Sequence, residues 1–266
     1  MTEPFPRRTR IAGPRPPAGT EGEGIRLAKE VAARRDCSRR EAELLIENGA
    51  VRVDGRVVEV PGARVRADQR IEIDLAARPE PVQAVTLLLH KPPGIAFDAP
   101  VGRLVFPERR GDADGDGFRR PTLQRHFVGQ RCLTPLETGA GGLIAFTQDP
   151  RIERKLVEDA GLIENEVMVD VAGAVDPRAL HRLNQSPVVD GRAMLPARVS
   201  IGRQSEDGER TGLRFAIKGS WPGQIAQMCD SVDLRILAMK RIRVGRVPLA
   251  GLAPGQWRYL LPHERF

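Results

Sequence analysis

The stretch Cys37-Ser38-Arg39-Arg40-Glu41-Ala42-Glu43-Leu44-Leu45-Ile46-Glu47-Asn48-Gly49-Ala50-Val51-Arg52-Val53-Asp54-Gly55 carries a helix start, a helix stop and a hairpin turn in direct succession. Ser38 with Glu41 three residues later is a capping box: the hydroxyl accepts from the Glu41 amide while the carboxylate reaches back to the Ser38 amide. Ala42, Leu45 and Ile46 then form one apolar stripe, and Gly49 ends the helix. Val51 and Val53 alternate with polar residues and Asp54-Gly55 supplies a tight turn with positive φ, so Arg56 to Val60 returns as an antiparallel strand. Upstream, Ile25, Ala28, Val31 and Ala32 recur at helical spacing until a break at Asp36 and Cys37. Downstream, Val65, Ile71 and Ile73 alternate as one more strand. Residues 25–76 therefore read as a module of two helices, a hairpin and a strand.

On either side of this module the composition changes. Residues 1–24 contain five Pro, four Gly and four Arg, too little apolar surface to repay ordering, and read as a flexible arm. Pro79 and Pro81 mark residues 77–84 as a linker, and residues 85–266 are long enough for a second domain. With 41% hydrophobic and 29% charged residues the 266-residue chain can bury a core, which excludes a wholly disordered or collagen-like polymer. No apolar run approaches the roughly 18 residues of a membrane span, and the first residues lack the apolar core of a secretory signal. Cys37, Cys132 and Cys229 are odd in number and far apart, with no second ligand at metal spacing. The expectation is a cytoplasmic monomer without metal.

Forty-two basic residues outweigh thirty-five acidic ones, a formal charge of +7 that favours polyanionic partners. Arg235, Lys240, Arg241, Arg243, Arg246 and Arg258 follow one another with no acid between Asp233 and Glu264, a positive stripe near the C-terminus that could equally be a solvated strand face. Asp112, Asp114, Asp116 and Gly117 imitate the start of a calcium loop, but the twelfth position is Leu123 where a bidentate glutamate is needed, so the segment reads as an acidic loop.

The module of residues 25–76 resembles the S-four-type RNA-binding domain, on the match Cys37-Ser38-Arg39-Arg40-Glu41-Ala42, Ile46, Gly49, Val51, Val53 and Gly55. The resemblance implies that Arg39 and Arg40, at a helix start, reach phosphates of structured RNA through shape and charge.

A second motif, Leu133-Thr134-Pro135-Leu136-Glu137-Thr138-Gly139-Ala140-Gly141-Gly142-Leu143-Ile144-Ala145-Phe146-Thr147-Gln148-Asp149, sets one carboxylate in a loop of small residues ahead of an apolar strand. Alone it is an ordinary connection. Together with Leu89-His90-Lys91-Pro92-Pro93-Gly94-Ile95, Met228-Cys229, Lys240-Arg241-Ile242-Arg243-Val244-Gly245 and Pro254-Gly255-Gln256-Trp257-Arg258, it is similar to the RsuA/RluB/RluF-type ribosomal RNA pseudouridine synthases over about residues 25–266. That resemblance implies an α+β fold, a mixed and mainly antiparallel sheet with packed helices, structured ribosomal RNA as partner, and no cofactor. It also implies isomerisation of uridine by a single aspartate.

Three motifs depart from the family pattern. Gly-Arg-Leu-Asp becomes Thr134-Pro135-Leu136-Glu137, which lengthens the catalytic carboxylate by a methylene and replaces an arginine by Pro135. A displacement of about 1 Å in an oriented site can cost on the order of 10²-fold in rate. Lys-Glu-Tyr becomes Asn165-Glu166-Val167, which removes the aromatic face for the target base, and the chain's one tyrosine is Tyr259. The arginine that pairs with the carboxylate becomes Gly223, and an acid without that charge should be less ionised and less well aimed. Trp221 either offers a substitute stacking surface or covers the vacated pocket, the second being favoured. The basic residues Lys91, Lys240, Arg241 and Arg243, with Arg39 and Arg40, remain for RNA. These features together point to an RNA-binding protein that has lost catalysis; the alternative is an active synthase with Glu137 in the aspartate's place.

Overall fold

The computed structural model describes residues 24–96, 104–105, 107–111, 122–186, 188–189, 192–193, 195–249 and 251–266. The expected arm before Gly24 and the acidic residues Asp112, Asp114 and Asp116 lie outside them. The chain forms two compact units, one ending at Val82 and the other beginning at Gln83.

In the first unit, β1 (Ile25–Arg26) precedes α1 (Leu27–Arg35) and α2 (Arg39–Glu47), followed by β2 (Val51–Val53), β3 (Arg56–Val57), β4 (Arg64–Val65) and β5 (Ile71–Ile73). The capping box forms: Ser38 Oγ accepts from the Glu41 amide at 3.2 Å, and Glu41 Oε2 accepts from the Ser38 amide at 2.8 Å. Leu27, Val31, Leu45, Ile46 and Val51 are all but inaccessible and make the core between helices and strands, each contributing about 1.5–3 kcal/mol by leaving water. Asp54 and Gly55 take the positive φ values of 51° and 77° that the hairpin turn requires.

Two expectations are corrected here. Ile25 is not on the helix: it pairs with Val65 as a strand and is 45% exposed, because the helix begins only at Leu27, whose amide donates to the Ala63 carbonyl. The single strand expected over Val65 to Ile73 is two strands. Asp54 accepts from the Arg70 amide and the Gln69 side chain, which fixes a turn, so Val65 joins β1 while Ile71–Ile73 joins β2.

The second unit contains β6 (Thr86–Lys91), β7 (Arg131–Cys132), β8 (Gly141–Thr147), α3 (Pro150–Glu158), β9 (Glu164–Ala172), α4 (Pro177–Leu183), β10 (Val188–Val189), β11 (Arg192–Ala193), β12 (Arg198–Gln204), β13 (Arg210–Lys218), α5 (Gln224–Asp230), β14 (Ile236–Val244), β15 (Val247–Pro248) and β16 (Trp257–Tyr259). One sheet runs β12-β13-β9-β14-β8-β6-β16, with β7 beside β8 and β15 beside β14. Among the described strands, β14 and β8 pair in parallel and the other strand pairs are antiparallel. The architecture is α+β.

Period-two alternation sorts this sheet into faces. Arg241, Val167, Phe215 and Val199 stand in one cross-strand row, all buried; the neighbouring row, Lys240, Met168, Arg214 and Ser200, points the other way. The first face packs against Ile225, Met228 and Cys229 of α5, while Leu87, Leu89, Ile144 and Phe146 pack with Leu136 and Trp257. On β6 and β8, Leu88, Leu143 and Ala145 pack instead with Leu156 of α3, Val247 and Leu249. Gly142 has φ +115°, and a Cβ there would lie 2.2 Å from the Arg241 carbonyl oxygen. Only glycine lets β14 pass this close to β8, and that approach brings Arg241 over the loop before β8.

Candidate functional site

The loop between Thr134 and Ala140 is held from two sides by buried cations. Arg241, 4% exposed, donates through Nε to the Leu143 carbonyl at 2.8 Å, through Nη1 to Pro135 at 3.1 Å and through Nη2 to Thr134. The planar guanidinium fork suits such convergent carbonyls as an ammonium does not. Lys91 is wholly buried, and its ammonium donates to the carbonyls of Ile95 at 2.7 Å, Pro92 at 3.2 Å and Thr138 at 3.4 Å. The Gly94 amide adds a 2.7 Å bond to the Thr138 carbonyl. Thr134 Oγ accepts from the Ala145 amide at 2.7 Å, so the loop is also stitched to β8.

This frame presents Glu137, half-buried, to the segment that precedes α5. Its Oε1 accepts a 2.6 Å hydrogen bond from the backbone amide of Gly223, the residue before the helix. Asn165 of β9 donates to Ser220 Oγ at 3.2 Å and ties the same segment to the sheet. Val167 is 3% exposed within the cluster of Phe215 and Ile225. Glu137, Pro135, Asn165, Val167 and Gly223 are thus gathered in one unit by three different elements: the loop before β8, β9 and the segment that precedes α5.

Gly223 stands where the pairing arginine is expected to be lost, but two other cations lie near the carboxylate. Burial pushes the Lys91 ammonium below its ordinary value; Glu137 opposes that shift and Arg241 adds to it. Burial likewise pushes Arg241 down to about 10, against the pull of Cys132 and Glu137. Two cations, from β6 and β14, therefore share the field of the carboxylate, and a peptide amide supplies its hydrogen bond.

Lys91 and Arg241 are corrected as RNA contacts. Both are spent on carbonyls inside the protein, and no phosphate can reach them at these exposures; they hold the loop. Arg243 is occupied as well: it pairs with Glu166 at 2.8 Å and Glu164 at 2.7 Å. Lys240 is exposed but stands on the opposite face from Arg241. Arg258 is buried in a bidentate pair with Glu264, at 2.6 and 2.7 Å. The apparent C-terminal stripe is therefore divided between two faces and the interior, because acids remote in sequence return to it in space. In the first unit, Arg39 and Arg40 are exposed, with Glu43 3.5 and 3.6 Å away.

Trp221 is half-buried in the segment leading to Gly223. Gln224, 2% exposed, was not singled out from the sequence; its Oε1 is buried with no partner among the described residues. A glutamine at a helix start carries no signal of that kind, since only packing decides which of its atoms is starved.

Comparisons with known proteins bear on the fold and the kinds of protein this chain is similar to. The S4 domain family matches residues 25–71. The chain is 26% identical over 241 residues to ribosomal large subunit pseudouridine synthase B of Bacillus subtilis (strain 168), covering 90% of this chain and 93% of that one. It is 28% identical over 249 residues to the protein of the same name from Escherichia coli (strain K12), covering 88% and 79%. A solved pseudouridylate synthase structure superposes with a TM-score of 0.50 at 17% identity, over 90% of this chain and 96% of the other, a likeness of fold. The chain thus carries an S4 domain and is similar over most of its length to proteins named ribosomal large subunit pseudouridine synthase B.

Proposed function

We propose that this protein binds structured ribosomal RNA on a pseudouridine-synthase scaffold and no longer isomerises uridine. The observation that carries the reading is the 2.6 Å bond between Glu137 and the Gly223 amide. Where the family resemblance implies a guanidinium paired with the carboxylate, this chain has a peptide N–H, which satisfies one oxygen but brings no formal charge to the acid. One of the two carboxylate oxygens, Oε1, is committed to the protein.

Loss of the stacking face supports the same reading. Val167 fills a hydrophobic cluster, and Tyr259 is 1% exposed with its hydroxyl 2.7 Å from His126 Nδ1, so it is not available to a base. RNA affinity rests on the names of the homologues, which act on the large ribosomal subunit, and on the S4 module with Arg39 and Arg40 on its surface. No described helix is long and apolar enough to cross a membrane, and a cytoplasmic monomer meeting ribosomal RNA fits this role.

The test is incubation of the purified full chain with ribosomal RNA transcripts, scoring pseudouridine and RNA retention together, with Glu137→Asp and Glu137→Ala in parallel. Salt-sensitive binding without pseudouridine is the expected result. Site-specific product that vanishes in Glu137→Ala overturns the loss of catalysis and establishes the active-synthase alternative, for which the nearby cations Lys91 and Arg241 are the favouring observation. Failure to bind any structured RNA overturns both.

A further inference from the structure

We infer that the sheet face opposite Glu137 carries a second contact surface for the phosphodiester backbone of RNA, centred on Arg198, Arg214 and Lys240. The inference rests on the RNA-binding reading above and adds a surface on the far side of the sheet from the candidate site.

Its geometry follows from the strand register. Lys240, Met168, Arg214 and Ser200 form one row across β14, β9, β13 and β12. The adjacent row holds Arg243, Glu166, Ala216 and Arg198. Neighbouring strands are about 4.8 Å apart, so Lys240 and Arg214 are on the order of 10 Å apart across the sheet. Between the rows lies an open cleft of about 310 Å³, lined by Glu164, Glu166, Arg198, Ser200, Arg214 and Arg243 among others. Small side chains at Ser200, Gly202, Gly212 and Ala216 leave this part of the face low, with charged groups standing above it.

Charge accounting selects the occupant. Glu166, with a side chain 5% exposed, is gripped by Arg214 Nε and by Arg243 Nε. Glu164 is held by Arg243, and Asp170 lies 3.7 Å from Arg210. Each acid of the face is thus answered from within. Among the described residues, Arg198 and Lys240 form no ion pair, and Arg214, with a side chain 58% exposed, holds Glu166 through Nε. What remains for a partner is a row of outward donors, with the Ser200 hydroxyl beside them, above neutralised carboxylates. Val199 and Ala216 are the apolar residues of the lining, beside six charged or polar ones, which leaves little apolar wall for a small apolar ligand. A chain of singly charged phosphates separated by neutral sugars matches spaced guanidinium and ammonium groups, and Arg presents a fork that a phosphate can take bidentately.

The experiment measures binding of the full chain to a ribosomal RNA transcript across a potassium chloride series, for the wild type, Arg198→Ser/Lys240→Ser and Arg39→Ala/Arg40→Ala. Each neutralised phosphate contributes a slope of about 0.7–0.9 in log affinity against log salt, so the sheet variant should lower the slope by about 1.5 with an unchanged thermal melt. Combining the two double variants should lower it by about twice that. Wild-type binding with an unaltered slope in Arg198→Ser/Lys240→Ser overturns the second surface and leaves the proposed function standing. A wild type that does not bind RNA overturns both. An unaltered RNA slope with loss of binding to an acidic polypeptide, polyglutamate being the probe, gives the face to a protein and likewise overturns the inference.

Discussion

Glu137 Oε1 and the backbone nitrogen of Gly223 lie 2.6 Å apart across 86 residues of sequence. One is in a loop tethered by Arg241 and Lys91, and the other begins α5 at φ +93°. That backbone angle is open to glycine and strained for any side chain, although an added Cβ would touch nothing within 4 Å. Gly223→Ala should therefore destabilise the fold by about 1–2 kcal/mol through the backbone alone. Gly223→Arg carries the same strain and should not by itself restore catalysis. Urea unfolding of the Ala variant checks the first statement; equal midpoints would show that the angle is not held.

Arg241 should matter more than any exposed arginine. Replacing it with Met strands the carbonyls of Thr134, Pro135 and Leu143 in the interior, a loss on the order of 3 kcal/mol. Arg241→Lys should recover only part, since an ammonium cannot reach three carbonyls with a planar fork. Amide exchange in residues 134–140 should rise in both variants, and protection equal to the wild type would remove the clamp.

Gly142 and Gly139 form a matched pair. A Cβ at Gly142 would meet the Arg241 backbone at 2.2 Å, whereas one at Gly139 meets nothing within 4 Å. Gly142→Ala should cost on the order of 4 kcal/mol or prevent folding, and Gly139→Ala should stay within about 0.5 kcal/mol of the parent. Chemical denaturation of the two variants decides it, and a tolerated Gly142→Ala contradicts the close approach of β8 and β14.

Acid should attack the C-terminal closure. Burial works to raise the Glu264 carboxyl, but its hydrogen bonds to Arg258 and the Leu261 amide prevail and leave it below its ordinary value. A carboxyl lowered in the folded state contributes stability that is complete above the unfolded pKa and is lost as pH falls through the folded one. Between about pH 5 and pH 3 the wild type should lose stability more steeply than Glu264→Gln. Parallel curves for the two proteins count against the pair.

Arg39 and Arg40 stand exposed at the first turn of α2, each paired with Glu43 at the surface, an arrangement of small energetic weight. Arg39→Ala/Arg40→Ala should leave the melting temperature nearly unchanged while weakening RNA binding and flattening its salt dependence. Unchanged affinity in a filter-binding titration would withdraw their role.

Local signals were enough where the chemistry is local. The capping box at Ser38, the Asp54-Gly55 turn and the alternation of Val51 and Val53 fix short-range geometry from adjacent residues, and they appear where the sequence places them. Ile25 was misassigned because helical spacing does not reveal a ladder partner forty residues away at Val65. Glu137 was legible as the lone carboxylate of its loop, and Val167 and Gly223 as departures from a pattern. The amide that holds the carboxylate was not legible, since a backbone N–H has no letter in the sequence.

By itself the chain's sequence determined its secondary structure near turns and caps, its kinship and its surplus of positive charge. Only the tertiary structure decided what that charge is for. Lys240, Arg241 and Arg243 are near neighbours in the chain, yet one faces solvent, one is buried under a loop and one is neutralised by Glu164 and Glu166. A strand sends successive side chains to opposite faces, and long-range pairing chooses what each of them meets.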